Sequence, residues 1–185
     1  MNVLVTGGAK NGKSHYAQEL ARDMALELSV PLYYVATMIP HDEEDHARIK
    51  RHIREREGWG FDTIEQGTDI IGCLSGEKQT AAGVIPDSKG VFLLDATTSL
   101  LANEMFREDG TFDKDAGRRV AAELVEFAAK TGNTVFVSDY IYSDARHFDE
   151  MTEAYRKALA DIDRALAKVC DRVVEVSFGT RTEFK

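Results

Sequence analysis

The segment Gly7–Ser14, which reads Gly-Gly-Ala-Lys-Asn-Gly-Lys-Ser, most constrains how this chain can fold. It fits the pattern G-x-x-x-x-G-K-[ST], a glycine-rich turn that joins a buried strand to a helix. Asn2–Thr6 before it predicts a short buried strand, and His15–Leu28 after it has the composition of a helix. In that setting the backbone N–H groups and the helix N-terminus face a phosphate group. The sequence therefore predicts a phosphate loop that binds a nucleoside triphosphate.

The positions of this loop have distinct predicted roles. Lys13 is expected to reach the β- and γ-phosphates, and the Ser14 hydroxyl is expected to ligate Mg²⁺. The residues predicted to contact nucleotide are Gly7, Gly8, Ala9, Lys10, Asn11, Gly12, Lys13 and Ser14. The alternative is a glycine-rich turn followed by a chance Lys-Ser pair.

Apolar, β-branched runs alternate with helical patterns along the chain, which is typical of a parallel sheet covered on both faces. The predicted strands are Asn2–Thr6, Leu32–Thr37, Asp62–Glu65, Val91–Asp95, Thr134–Asp139 and Arg172–Ser177, with an antiparallel edge strand in Thr180–Lys185. The predicted helices are His15–Leu28, His41–Glu57, Thr98–Arg107, Asp115–Lys130 and Ala145–Val169. Ser75–Lys89 is predicted to be a loop. We therefore predict one doubly wound α/β domain of the P-loop NTPase type over residues 1–185.

Phe92–Asp95 is an apolar strand that ends in a carboxylate, as expected of a Walker B segment. The carboxyl ends of parallel strands open onto one crevice, so Asp95 is predicted to share Mg²⁺ with Ser14. Thr97 and Thr98 follow after one intervening residue, Ala96. They are candidates for the water shell of the metal, and a helix N-cap is the equally good alternative.

Composition excludes several classes of protein. With 185 residues, 43% hydrophobic and 30% charged, the chain resembles an ordinary globular domain. Its net charge of −9 argues against nucleic acid as a partner, because phosphate-backbone binding needs a concentrated positive face. The apolar runs are too short to span a bilayer and no signal-peptide pattern is present, so we expect a cytoplasmic protein. Cys73 and Cys170 match no metal or redox spacing and are expected to be reduced, partly buried thiols.

The segment His41–Glu57 begins with acidic residues and ends with basic ones, which suits the helix dipole. A solvated helix would explain every charge in it. His41 and His46 lie next to carboxylates, as in some metal sites, but their spacing is poor for one helical face. His52 lies among arginines, where cationic surroundings favour the neutral, nucleophilic imidazole and can hold phosphate oxygens. A surface histidine is the competing interpretation.

Several motifs, in order, are similar to those of a known family. Val3–Ser14 is similar to its opening I-L-V-T-G-G-A-R-S-G-K-S, and Tyr34–Thr37 to its Y-I-A-T strand. Asp42–Glu44 and Arg48-Ile49-x-x-His52 are similar to D-x-E-M-x-x-R-I-x-x-H. Further matches are Thr63-x-Glu65, where Phe61 replaces the usual Trp, and Leu93-Leu94-Asp95, Ala145-Arg146-x-Phe148 and Leu166-Ala167-x-x-x-Asp171-x-Val173. Over nearly its whole length the chain resembles the bifunctional adenosylcobinamide kinase / adenosylcobinamide-phosphate guanylyltransferase enzymes of cobalamin nucleotide-loop assembly.

The resemblance implies a specific chemistry. In this family the histidine that matches His52 attacks the α-phosphate of GTP and carries GMP as a phosphoramidate, while the kinase half phosphorylates a corrinoid hydroxyl with ATP or GTP. Lys13 would serve the phosphoryl transfer, with Mg²⁺ as cofactor. Beyond the phosphate loop, the implied nucleotide contacts are Ala36, Thr37, Met38, Ile53, Arg54, Glu55, Arg56, Glu65 and Asp95. The resemblance also implies a homotrimer.

The chain departs from the family's pattern in two places. Ser138–Asp144 stands where the family has N-E-V-G and then G-I-V-P, and Ala160-x-x-Asp163-Arg164 stands where it has G-x-x-N-Q. Tyr140 and Tyr142 in the first segment are predicted either to stack on a substrate or to pack a loop. Trp59 allows the same two interpretations.

Three hypotheses follow from these patterns. The first is the bifunctional corrinoid enzyme, which the frame around His52 favours. The second is a P-loop kinase of another small hydroxylated substrate in which His52 is idle, and the altered Ser138–Asp144 segment favours it. The third is a nucleotide-binding regulator that acts through a partner.

Overall fold

Strands and helices alternate along the chain. The structure, a computed structural model, describes residues 1–107, 109–142 and 145–185. Its strands are β1 (Val3–Gly7), β2 (Leu32–Ala36), β3 (Phe61–Glu65), β4 (Val91–Asp95), β5 (Thr134–Asp139), β6 (Arg172–Ser177) and β7 (Thr180–Glu183). Its α-helices are α1 (Lys13–Leu28), α2 (Glu43–Glu55), α3 (Thr97–Met105), α4 (Ala116–Thr131) and α5 (Glu150–Val169), and a short 3₁₀ helix covers Ile70–Leu74.

Within the described ranges the seven strands form one sheet in the order β3-β2-β4-β5-β1-β6-β7. All neighbours are parallel except β6 and β7, which pair antiparallel. The register places Ala36 beside Asp95, and Gly7 beside Asp139. The carboxyl ends of β2, β4, β5 and β1 therefore meet along one edge, where doubly wound folds bind their ligands.

Each face of the sheet has its own apolar core. On one face, Leu4, Phe92 and Phe136 pack with residues of α3, α4 and α5. On the other face, Val5 and Leu93 pack with residues of α1. Helices therefore cover both faces, and the prediction of a doubly wound, mostly parallel sheet with an antiparallel C-terminal edge strand is confirmed.

The predicted helix boundaries need correction at several places, among them α1, which begins at Lys13 rather than at His15, and α2, which ends at Glu55 rather than at Glu57. The second helix begins at Glu43 rather than at His41, because the Asp42 carboxylate accepts a hydrogen bond from Asp45 N–H and caps it. The fifth begins at Glu150 rather than at Ala145, because Asp149 caps Met151 and Thr152. The third ends at Met105, since Phe106 forms a bridge with Phe112. The 3₁₀ helix, where apolar residues lack a helical period, was not predicted.

Two further predictions concern burial and membrane crossing. Cys73 and Cys170 are buried, and burial raises the pKa of each thiol to about 12. None of the helices in the described ranges has the length and apolar character needed to cross a membrane.

Candidate active site

The phosphate loop connects β1 to α1 and is shaped by close contacts. Gly7 admits no side chain, because a Cβ there would overlap the backbone oxygen of Val176 and the side chain of Asn11. The Asn11 amide donates to that same Val176 oxygen, and its own oxygen accepts from Lys13 N–H at 3.2 Å. Gly12 has φ 89°, a left-handed conformation that glycine adopts without strain. The predicted residues thus form a turn directly before the α1 N-terminus.

Lys13 is buried at the start of α1, and its ammonium is held by two groups. It donates to the Gly8 carbonyl oxygen at 3.2 Å and forms an ion pair with the Asp139 carboxylate at the end of β5. The predictions for this site omitted Asp139, which is 126 residues from Lys13 in sequence. The sequence signal that could have identified it is its position at the end of the apolar strand β5, which matches the position of Asp95 at the end of β4.

Asp95 ends β4, which is the neighbour of β5 in the sheet and lies on the same side of β1 as Asp139. One of its oxygens is 3.5 Å from the Ser14 hydroxyl, and the other accepts a hydrogen bond from the Tyr34 hydroxyl at 3.1 Å. Burial raises the pKa of the Asp95 carboxyl and outweighs the opposing effects of Tyr34, His52 and Lys13. A hydroxyl and a carboxylate thus converge as hard oxygen donors.

The residues around the end of β4 are fixed by hydrogen bonds. Thr37 is fully buried, and its hydroxyl exchanges hydrogen bonds with Ala96 N–H and the Ala96 carbonyl oxygen, both at 2.9 Å. Ala96 is the N-cap of α3 and provides no side-chain hydrogen bond, so the prediction of a threonine cap is wrong. The Thr97 hydroxyl is buried with no hydrogen-bond partner among the described residues.

His52 lies on α2 and lines an open cleft of about 390 Å³ together with Ser14, His15, Gln18 and Glu55. The structure thus brings His52 to the first turn of α1. Its Nδ1 is 3.2 Å from a Glu55 carboxylate oxygen, at ion-pair distance but outside hydrogen-bond geometry. The nearest charged partner of His52 is therefore acidic, whereas the sequence suggested arginines. Arg51 instead approaches Glu55, at 3.9 Å.

The other residues predicted on and after α2 differ widely in exposure. Arg56 is buried, with its guanidinium 3.5 Å from the centre of the Tyr34 ring, so it anchors the end of α2. Ile53 is half exposed, and Arg54 is exposed with its Nε–H donating to the Lys50 carbonyl oxygen. Glu65 is exposed at the end of β3, four strand spacings or about 19 Å across the sheet from β1. Ala36 and Met38 flank Thr37 and are half-buried.

Comparison with known proteins assigns this arrangement to a family. The sequence profile of the cobinamide kinase / cobinamide phosphate guanyltransferase family matches residues 3–184. The chain belongs to this family. It is therefore a transferase of cobalamin biosynthesis with a nucleotide-binding phosphate loop, as the sequence predicted.

Similar curated proteins agree with the assignment. The bifunctional adenosylcobalamin biosynthesis protein CobP of Pseudomonas aeruginosa is 28% identical over 173 residues, covering 94% of this chain and 91% of that protein. CobU of Escherichia coli, which carries the same bifunctional description, is 34% identical over 116 residues, covering 62% of this chain and 56% of that protein.

Solved structures show the fold at much lower identity. The ATPase domain of G40P has a TM-score of 0.51 at 13% identity, with 94% of this chain and 68% of that one covered. A protein of Pyrococcus horikoshii OT3 has a TM-score of 0.50 at 10% identity, with 100% and 85% covered.

The segment in which this kinase / guanyltransferase family member departs from the family pattern is tied to its own core. The Tyr140 hydroxyl donates to Glu175 at 2.7 Å, and the Tyr142 hydroxyl donates to the buried Asp163 at 2.9 Å. The two tyrosines therefore pack the loop after β5, as the second interpretation had it. Ser143 and Asp144, predicted as part of this segment, lie outside the described residues.

Trp59 also packs within the chain of this family member. Its ring lies edge-on to His15, with centroids 5.7 Å apart, and the Arg22 guanidinium lies 5.3 Å from the ring centre. It joins the segment after α2 to the outer side of α1.

Proposed function

We propose that this enzyme phosphorylates adenosylcobinamide with ATP or GTP and then transfers GMP from GTP, through a histidine-bound GMP, to adenosylcobinamide phosphate. The observation that carries the proposal is the shared cleft of His52 and Ser14. In this proposal the β- and γ-phosphates of the triphosphate lie on the loop. The α-phosphate then faces the cleft, where His52 can act as the nucleophile. The predicted contacts from Ala36–Met38 and Ile53–Glu55 belong to the nucleotide site in this proposal, whereas the Arg56 guanidinium is stacked on Tyr34 and Glu65 lies about 19 Å across the sheet from β1.

The kinase step depends on positioning and charge. Lys13 is held at the loop by the Gly8 carbonyl oxygen and meets the β- and γ-phosphates, while the N–H groups of the loop cradle them. The oxygens of Ser14 and Asp95, together with the unpartnered Thr97 hydroxyl, fit a hydrated Mg²⁺. When bound, Mg²⁺ would neutralise charge on the transferred phosphoryl group.

The guanylyl step would use His52 as a nucleophile. Glu55 beside Nδ1 would favour the proton on that nitrogen and leave the lone pair of Nε2 for attack on the α-phosphorus. A bond from Nε2 to phosphorus forms, and the bond to the β-phosphate breaks with release of pyrophosphate. The phosphate of adenosylcobinamide phosphate then displaces the histidine, so a hard transfer becomes two easier ones.

The test is incubation of the protein with Mg²⁺ and GTP labelled in its α-phosphate, followed by measurement of label on denatured protein. We expect acid-labile, alkali-stable label, lost in His52→Ala. His46→Ala is the matched control, because His46 lies on the same helix and is exposed. Label that persists in His52→Ala would contradict the assignment of the nucleophile.

A protein that binds GTP or ATP but takes no label would contradict the guanylyl step. It would leave a single-activity kinase, the alternative that the altered segment after β5 favours. The homotrimer implied by the resemblance stays a prediction, which light scattering in solution measures directly.

A further inference from the structure

Asp139 lies at the phosphate loop but has no role in the steps above. It ends β5, and β5 lies between β4, which carries Asp95, and β1, which leads into the loop. Its side chain is 26% exposed, so it is reachable from the crevice. Tyr140 N–H donates to the Gly7 carbonyl oxygen at 3.3 Å and holds the chain after Asp139 against the loop.

The ion pair with Lys13 locates the Asp139 carboxylate relative to a bound triphosphate. Since the phosphate-loop lysine contacts the β- and γ-phosphates, a carboxylate in contact with its ammonium lies beside the γ-phosphate. The lysine charge between the two anions offsets their repulsion. The Asp95 carboxylate has other partners: it accepts a hydrogen bond from the Tyr34 hydroxyl and lies near the Ser14 hydroxyl.

We propose that Asp139 accepts the proton of the hydroxyl that attacks the γ-phosphorus in the kinase step, an inference that rests on the proposed function. The acceptor oxygen forms a bond to the γ-phosphorus, and the bond from that phosphorus to the β–γ bridging oxygen breaks. Its electron pair leaves with the nucleoside diphosphate, and the hydroxyl proton passes to an Asp139 oxygen. The proton returns to solvent after the products leave.

This role separates the two reactions of the enzyme. Guanylylation of His52 transfers no hydroxyl proton, because the imidazole attacks through a lone pair. Asp139 is therefore needed for phosphorylation of the corrinoid and not for labelling of His52. A residue that only holds Lys13 in place would serve both reactions, since both bind a triphosphate on the same loop.

Several ionisable groups lie around Asp139. They are Lys13 on the loop, Asp95 at the end of β4, and Tyr155 and Asp163 on α5. These neighbours are kept when Asp139 alone is replaced by the isosteric asparagine.

The experiment compares wild type, Asp139→Asn and Asp139→Glu in two assays: phosphorylation of adenosylcobinamide with labelled γ-phosphate, and guanylylation of His52. For Asp139→Asn we expect kcat of phosphorylation to fall at least about 100-fold with little change in KM for the triphosphate. Labelling of His52 should stay within a few-fold of wild type, and Asp139→Glu should recover part of the kinase activity. Asp23→Asn, on the exposed side of α1, is the matched control.

Each other outcome is decisive. Full kinase activity in Asp139→Asn would overturn the inference. A parallel loss of both reactions with a raised KM for the triphosphate would also overturn it, in favour of a role in holding Lys13. Absence of corrinoid phosphorylation by wild type would instead contradict the proposed function. Intact nucleotide binding by Asp139→Asn shows that the variant is folded.

Discussion

The phosphate loop and helix α2 carry the two halves of the proposed reaction, and they are built in different ways. The loop leads into α1, which buries Lys13, Ala17, Gln18, Ala21, Met24 and Ala25. Of the thirteen described residues of α2, none is buried. The phosphate loop is thus anchored in the core, whereas His52 lies on a helix without buried residues, which is held in place by interactions at its two ends.

The two ends of α2 are held by different interactions. Asp42 caps the N-terminus with a hydrogen bond of 2.8 Å from Asp45 N–H. At the other end Arg56 lies over the Tyr34 ring, and the Tyr34 hydroxyl donates to Asp95. Helix α2, which carries His52, is therefore connected to the carboxyl end of β4 through the side chains of Arg56, Tyr34 and Asp95, and much less through packing of its own surface.

Lys13→Ala tests the core half of this comparison and has the largest expected effect. Removal of the one buried ammonium at the loop should lower both phosphorylation and His52 labelling by about 100-fold or more. Steady-state rates of both assays and binding of a labelled triphosphate measure it. Loss of only one reaction would show that the two do not share the phosphate loop.

The sequence predicted the core half well for physical reasons. The phosphate loop is a local motif whose neighbours in sequence are its neighbours in space, and Val91–Asp95 and Thr134–Asp139 were predicted with their observed bounds. Apolar runs with few polar interruptions mark buried parallel strands directly. The helix ends were predicted less accurately. Several polar residues near a helix start can cap it, and the sequence alone does not show that Asp149 is the one that does.

The rest of the site depends on contacts that one-dimensional patterns do not contain. The pairing of Lys13 with Asp139 follows from the order of β5 and β1 in the sheet, which no local motif encodes. Arg56 was predicted as a nucleotide contact, yet its guanidinium is stacked on Tyr34. Glu55 was predicted only as a nucleotide contact. The structure also places its carboxylate beside His52, a contact that depends on how α2 is oriented and that the sequence does not reveal.

Asp163→Asn tests the core further, because Asp163 is a buried titratable group on α5 whose charge should affect the stability of the whole fold. Burial raises the pKa of the Asp163 carboxyl to about 6, above the value of about 3.9 in an unfolded chain. The folded state then binds the proton more tightly, so this residue costs stability as pH rises from 4 through 6. Asparagine still accepts from Tyr142 and should raise the free energy of unfolding by about 2 kcal/mol at pH 8.

Denaturant unfolding of wild type and Asp163→Asn at pH 4.5 and pH 8 measures this effect. We expect the gain at pH 8 to shrink toward zero at the lower pH. An equal gain at both values would show that the carboxylate charge is not its cause.

Arg56→Met tests the anchor of α2. Methionine keeps much of the apolar stem but loses the guanidinium stacked on Tyr34, an interaction worth about 1–2 kcal/mol when desolvated. Labelling of His52 should fall about tenfold, with a smaller effect on phosphorylation. The control is Lys50→Met on the exposed side of the same helix. Equal losses in both assays would place Arg56 in the nucleotide site, as the sequence predicted.

The smallest effect comes from two matched cap variants, Asp42→Ala on α2 and Asp149→Ala on α5. Both aspartates accept hydrogen bonds from the first turn, but α5 buries Arg156, Leu159, Ile162, Asp163 and Leu166. Cap loss on α5 weakens the folded core, so Asp149→Ala should lower Tm by about 2–4 °C. Asp42→Ala should leave Tm nearly unchanged and instead speed hydrogen exchange of the α2 amides, because local opening of a helix without buried residues is uncoupled from global unfolding. Equal shifts in Tm would mean that α2 is packed as firmly as α5, and His52 would then lie on a scaffold as rigid as the phosphate loop.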